Sequence, residues 1–209
     1  MTAKDYRALA WQRLNGRWGM MVLTFFIYSI LVSALSYTGI GSFLLLGVLS
    51  IGLSSVCLTL SRTGEAKLEC LFDGFKGNIA NAIICSMLYQ LYLALWTMLF
   101  IIPGLIKAYS YAMTFYIMRD NPDISANDAI TASRKMMNGH KAELFCLHFS
   151  FIGWILLGVI TCGIGMLFVA PYMEMATAAF YENLKAGQFA AGNAAFQQAQ
   201  QPADGAQGF

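Results

Sequence analysis

Charge is what this chain has least of. Lys, Arg, Asp and Glu make up 11% of its 209 residues and hydrophobic residues 58%, whereas charged residues form about a quarter of an ordinary soluble domain. The mean hydropathy of +0.58 points the same way, to a protein embedded in lipid. Histidine is nearly absent: His140 and His148 are the only two. Neither has a second histidine nearby, so no zinc motif can be assembled from them. The five cysteines, Cys57, Cys70, Cys85, Cys146 and Cys162, are scattered, without C-x-x-C or metal-ligand spacing. They read as small apolar residues and exclude a redox or disulfide framework. No Ser/His/Asp order suggests a nucleophile, no glycine-rich phosphate loop is present, and the paired carboxylates that hydrolysis needs are missing. Catalytic residues, metals and cofactors are therefore not expected, and neither is a nucleic-acid partner; the net charge of +2 is uninformative as a total, because its meaning lies in its distribution.

Charge is also missing from alternate turns. Tyr37-Thr38-Gly39, Pro103-Gly104 and Thr161-Cys162-Gly163 carry none. The basic residues fall on the other side of the pattern: Lys4, Arg7, Arg13 and Arg17 before the first apolar run, Arg62, Lys67 and Lys76 after the second, Arg119, Arg134, Lys135 and Lys141 after the fourth, and Lys185 after the sixth. The positive-inside bias then predicts six spans with both termini cytoplasmic. Judged against the roughly 20 residues needed to cross the hydrocarbon, the spans are 18–36, 40–60, 79–102, 105–118, 143–160 and 164–181, the fourth being short. The first starts at Trp18, is long enough to span and lacks a small-residue cleavage site, unlike a cleavable signal. Short outer turns force antiparallel neighbours, so the expected fold is an all-α integral membrane protein, a six-transmembrane bundle of three helical hairpins. Close approach is expected at Ser29 and Ser33, at Gly47, Ser50 and Ser54, and at Ala176 and Ala179.

Two further helices are expected along the inner surface. In 1–17, Tyr6, Leu9, Ala10 and Leu14 recur at helical spacing opposite Lys4, Arg7 and Arg13, with Thr2 and Asp5 as a capping signal and Trp11 and Trp18 at headgroup depth. This segment is a lead-in orienting the first span or a lipid sensor. In 125–138, Ser125 and Asp128 form a capping box, Ala126, Ala129, Ile130, Ser133, Met136 and Met137 give one apolar face, and Asn138-Gly139 ends it. The loop Leu71-Phe72-Asp73-Gly74-Phe75-Lys76 docks at the interface through its apolar flanks. The tail 185–209, Ala, Gly and Gln with few charges, reads as disordered. A weak repeat relates 111–116 to 176–181, each ending Phe-Tyr; two aromatic belts would produce the same pattern.

An intramembrane charge costs roughly 2.5–3.5 kcal/mol at mid-helix and marks a functional hypothesis. Two residues qualify, Lys107 and Glu174. Lys107 is near the outer corner and can snorkel, while Glu174 is deeper, about 15 Å from the outer turn at helical rise. Either they pair with each other, or with groups such as Gln90 and Tyr109, and fix the helix arrangement, or they line a polar chamber with Gln90, Tyr109, Tyr172 and His148. Pro171 is the expected helix kink and fits both readings. His148 reads as a hydrogen-bonded packing residue or a proton relay. Arg7, Arg13, Arg17, Arg134, Lys135 and Lys141 form a membrane-surface basic rim that attracts anionic lipid.

Several motifs occur in fixed order: Leu95-Trp96, Ile102-Pro103-Gly104-Leu105-Ile106-Lys107, Tyr111-Ala112-Met113, Asn121-Pro122, Ser133-Arg134-Lys135-Met136-Met137, Gly139-His140-Lys141, Ser150-Phe151-Ile152-Gly153-Trp154, Pro171-Tyr172 and Phe180-Tyr181. With Leu14-Asn15-Gly16-Arg17-Trp18 and Phe72-Asp73-Gly74-Phe75 upstream, the chain resembles, throughout but for its tail, a bacterial integral-membrane family of unknown function, number nine-seven-five of its series. The resemblance implies a multi-pass protein of the bacterial cytoplasmic membrane and brings no substrate or catalytic residue; Glu174 is not part of the pattern. Three functions stay open. The first is a non-catalytic membrane component that binds anionic lipids or a partner protein, including a second copy. The second is a small transporter or channel using Lys107 and Glu174, and the third a membrane subunit associated with a lipid-processing enzyme.

Overall fold

The computed structural model describes residues 2–36, 40–65, 67–76, 78–99, 101–161, 163 and 165–200, with side chains described outside 36, 40–45, 99, 101, 102 and 189–200. The described residues are helical and contain no strand. In chain order they form α1 (Ala3–Leu14), α2 (Trp18–Ser36), α3 (Ile40–Thr63), a 3₁₀ turn (Leu68–Phe72), α4 (Asp73–Lys76), α5 (Ile79–Leu99), α6 (Ile101–Tyr111), α7 (Thr114–Asp120), α8 (Ala126–Met136), α9 (Lys141–Phe149), α10 (Ile152–Ile160) and α11 (Met166–Gln200). Among the described residues four stretches are long and apolar enough to cross a membrane: Trp18–Leu35, Leu46–Thr63, Ile79–Met98 and Lys141–Ile160. The outer turn at 37–39 lies outside the described residues, as does Cys162.

Helix by helix, the chain doubles back on itself. At the α5–α6 turn the two helices touch so closely that a Cβ on Gly104 would lie 2.8 Å from Thr97 Cα. At the other end Asn81, in the first turn of α5, donates to the Ile124 carbonyl and accepts from the Ala126 amide at 3.1 Å. Together α6 and α7 thus retrace the length of α5. The same holds for α9–α10 against α11: Gly158 faces Met166, the Phe151 and Tyr172 rings are 4.9 Å apart, and His148 meets Thr177.

Several boundaries differ from the sequence reading, each for a local reason. Pro103-Gly104, expected as the corner, instead lies within α6, because proline is tolerated in the first turn of a helix, where its missing N–H has no acceptor to lose. The segment 105–118 is two helices, broken at 112–113. The break leaves the Ser110 carbonyl and Met113 amide without helical partners, and the buried Ser133 hydroxyl of α8 serves both, donating to the first at 3.0 Å and accepting from the second at 3.2 Å. Between α9 and α10 the Ser150 carbonyl is taken by Arg7 at 3.0 Å. The tail read as disordered from 185 instead continues α11 to Gln200. Ala and Gln propagate a helix well once nucleation has been met by the packed part upstream; residues 201–209 lie outside the described residues.

The two amphipathic helices turn their apolar faces to protein. Tyr6, Ala10 and Leu14 of α1 are buried, Tyr6 edge-on to Phe180 of α11 at 5.2 Å. In α8 the whole expected face, Ala126 to Met137, is buried against α5, α6 and α7. The 71–76 loop docks on α3 through two glycines: a Cβ on Gly52 would lie 1.8 Å from the Leu71 carbonyl oxygen, and one on Gly74 2.1 Å from that of Val48. Gly47 likewise meets Ser86, and Ala176 and Ala179 are buried, whereas Ser29 and Ser33 remain exposed.

Candidate functional site

Where the helices end, two aspartates are each held by an arginine, a lysine and a hydroxyl. Asp120 closes α7. Its two carboxylate oxygens accept bidentately from Arg62 of α3 at 2.8 Å each, and Oδ2 also accepts from Tyr181 at 2.9 Å and from Lys185 of α11. Arg62 bridges on to Glu182 at 2.7 Å. Three elements distant in sequence are thus bound at one point, and the Asp120 side chain is 6% exposed. Burial alone would raise its pKa, but the donors from Arg62, Lys185 and Tyr181 prevail and hold it at about 2.

Asp73 opens α4. Its Oδ2 accepts from Ser55 at 2.6 Å and lies 3.5 Å from Arg119 Nη2, while Oδ1 accepts from Lys76 at 3.1 Å. Burial here too is outweighed by the donors, Ser55 and Lys76 first, so the carboxyl is held below its ordinary range. Beside it opens a cavity of about 400 Å³, walled by Asp73, Lys76, Asn78 and Arg119 and by apolar residues including Ile51 and Met118.

Above the Asp120 cluster, the rings of Tyr116 and Tyr181 stack at 5.4 Å, 27° from parallel. Each tyrosine is bonded to a carboxylate on the other's helix: Tyr116 donates to Glu174 at 2.9 Å, and Tyr181 to Asp120. These are the matched final tyrosines of the weak repeat, so the repeated ends of α7 and α11 meet face to face.

Of the alternatives for Lys107 and Glu174, the direct pair is not formed. The Lys107 ammonium sits over the Trp96 ring, 4.4 Å from its centroid, and no ion pair joins it to Glu174 among the described residues. Tyr116, the partner of Glu174, is nine residues beyond Lys107, roughly 14 Å at helical rise. The four residues assigned to a chamber divide among different contacts. Gln90 donates to Ser86 beside α3, whereas Tyr109 and His148 lie together, ring centroids 5.7 Å apart. His148 shares a 3.2 Å hydrogen bond with Thr177, and Tyr172 donates to the Arg7 carbonyl at 3.1 Å. Pro171 is buried inside α11, which runs through it.

The basic rim also divides. Arg7 is engaged by Ser150 and lies over the Phe151 ring at 6.0 Å, and Arg13 donates to Ser61. Helix α1 docks on the protein, and its arginines cap polar groups there. Arg17, Arg134 and Lys135 are exposed and Lys141 half-buried, with no ion pair formed by any of the four among the described residues. Among the described residues no group of three His, Cys, Asp or Glu is placed to hold a metal.

Sequence reasoning missed Asp73, Arg119, Asp120, Glu182 and Lys185 as partners, because each ends an apolar run and reads as a boundary charge. One signal was present: Asp120 and Lys185 each follow a repeat tyrosine by four residues, one helical turn on the same face.

The chain belongs to the family described as protein of unknown function (DUF975), which matches it over residues 1–111 and 98–188. No curated protein and no solved structure matches it.

Proposed function

We propose that this member of the family is a six-span, non-catalytic component of the bacterial cytoplasmic membrane, with both termini in the cytoplasm, that gathers anionic phospholipid at its inner rim. The retracing of α5 by α6–α7 and of α9–α10 by α11 supports six crossings: if the first helix of each pair traverses the bilayer, its antiparallel neighbour does too. The observation that carries the lipid reading is the sorting of the cations. Arg62, Arg119 and Lys185 are matched to Asp73, Asp120 and Glu182, while Arg17, Arg134, Lys135 and Lys141 form no ion pair among the described residues. Unmatched cations near an anionic surface contribute about 1 kcal/mol each.

Native mass spectrometry of the full chain released from mixed phosphatidylglycerol and phosphatidylcholine tests this. Phosphatidylglycerol is expected to be enriched, and the triple variant Arg134→Gln, Lys135→Gln, Lys141→Gln to reduce its recovery about tenfold or more. Equal recovery of both lipids, or of either from the variant, overturns the reading. The same spectra reveal a second copy or a protein partner. A cysteine placed at Thr38 is expected to react from the outer side alone; labelling from the cytoplasm would reverse the orientation.

A second reading, a small transporter, draws on Glu174, a carboxylate in the apolar part of α11 bonded to Tyr116 and three residues beyond Pro171. Ion flux in liposomes that Glu174→Gln abolishes without loss of folding would favour it over the first.

A further inference from the structure

We propose that the cavity beside Asp73 binds the polar end of an amino-phosphate ester, a primary ammonium joined through a short linker to a phosphate. Its volume of about 400 Å³ lies within the range of small-molecule sites, roughly 300–1,000 Å³. Its polar wall carries both signs. Asp73 offers a carboxylate; Lys76 and Arg119, both in contact with it, and the first turn of the 21-residue helix α5, entered through Asn78, offer positive charge beside it. Asp73 Oδ2 is occupied by Ser55 and faces Arg119, but among the described residues Oδ1 is held by Lys76 alone, whose side chain is 67% exposed. Such an exposed pair is easily exchanged. An incoming ammonium takes Oδ1 with its N–H donors, and the released Lys76 joins Arg119 on the phosphate oxygens in charge-assisted hydrogen bonds. Ile51 and Met118 give the linker an apolar wall.

The same wall discriminates. A quaternary ammonium has no N–H to give Asp73 and is held instead by aromatic faces; among the described residues no aromatic one lines this cavity. An ester without an amine has nothing to take the place of Lys76 on Asp73, so Lys76 stays with the carboxylate and is not released to the phosphate. The site therefore prefers ethanolamine-type to choline-type esters, although both head groups are zwitterionic. The lipid form of this ligand rests on the membrane reading above, but not on the rim cations.

Competition between phosphatidylethanolamine and phosphatidylcholine, equal in net charge, isolates this site from the rim. Native mass spectrometry of the full chain is expected to show at least about tenfold preference for the ethanolamine lipid, in keeping with a charge-assisted hydrogen bond that only one ligand can make. Asp73→Asn is expected to erase the preference, and Lys76→Glu, checked for folding by its thermal transition, to lower retention about tenfold by facing the phosphate with a like charge. Equal retention of the two lipids by the unaltered chain, a full preference persisting in folded Asp73→Asn, or unchanged retention by folded Lys76→Glu overturns the proposal. Displacement of the lipid by soluble phosphoethanolamine would assign a soluble ester as a competent ligand, and retention in its presence would assign the lipid. The rim triple variant is expected to keep the ethanolamine preference while losing phosphatidylglycerol, so the two proposals fail separately.

Discussion

Asp120 and Asp73 are held by the same parts, an arginine, a lysine and a hydroxyl, yet form different kinds of site. Asp120 is 6% exposed and closed, with Arg62 bidentate at 2.8 Å; Asp73 is 21% exposed, its arginine stands off at 3.5 Å, and a cavity opens beside it. The difference lies in what carries them. Asp120 ends a helix packed between α3 and α11, whose Arg62, Tyr181 and Lys185 converge from two neighbours. Asp73 rides on a short turn pressed onto α3, and its lysine comes from that same turn, three residues on. A carboxylate with every donor drawn from the surrounding helices is a clamp. One whose lysine is its own exposed neighbour can exchange it for a ligand.

The strongest way to break the comparison is Gly52→Ala. The added methyl would lie 1.8 Å from the Leu71 carbonyl oxygen, and relief of such overpacking costs about 3 kcal/mol. It should unseat the Asp73 turn while leaving the Asp120 cluster intact. Thermal unfolding in detergent should show a lowered Tm, and Cys70, half-buried in the same turn, should alkylate faster; an unchanged Cys70 rate would mean that the turn stays docked.

Asp120→Asn should follow. Losing the charge that faces Arg62 and Lys185 is expected to remove about 2–3 kcal/mol, because the carboxylate is buried although its partners are partly exposed. Asp73→Asn should remove only about 1 kcal/mol, nearer the worth of an exposed pair. Equal losses in chemical denaturation would erase the distinction between clamp and site.

Acid offers a gentler test. The Asp120 carboxyl is lowered from 3.8 to about 2 on folding, so its contribution, about 2 kcal/mol, is complete above the unfolded value and is lost as the pH falls through the folded one. Stability measured between about pH 4 and pH 2 should decline in the native chain and in Asp73→Asn, but not by this step in Asp120→Asn.

Much of the fold could be read from residue order because its signals are local. The capping pair Ser125 and Asp128, the stop at Gly139 and the apolar face of α8 all appear where spacing put them. Other features depended on a partner remote in the chain. Nothing near Ser133 announces that its hydroxyl repairs the break between α6 and α7, and nothing near Arg7 announces that it would leave the rim for the Ser150 carbonyl. The Lys107–Glu174 pair failed for the converse reason. Both were identified as charges within predicted spans, Lys107 near the outer corner and Glu174 deeper, and helix register places them at different heights, where Trp96 and Tyr116 are the neighbours.

The sequence by itself determined the class of protein, its family and the segments that become helices, since hydrophobic run length, glycine and proline placement and charge bias act over a few turns. Only the tertiary structure decided which charges are neutralised and which stay available. Electrostatic pairing depends on distances of about 3 Å between groups up to 120 residues apart, as in Arg62 and Glu182, and no local pattern encodes such a distance.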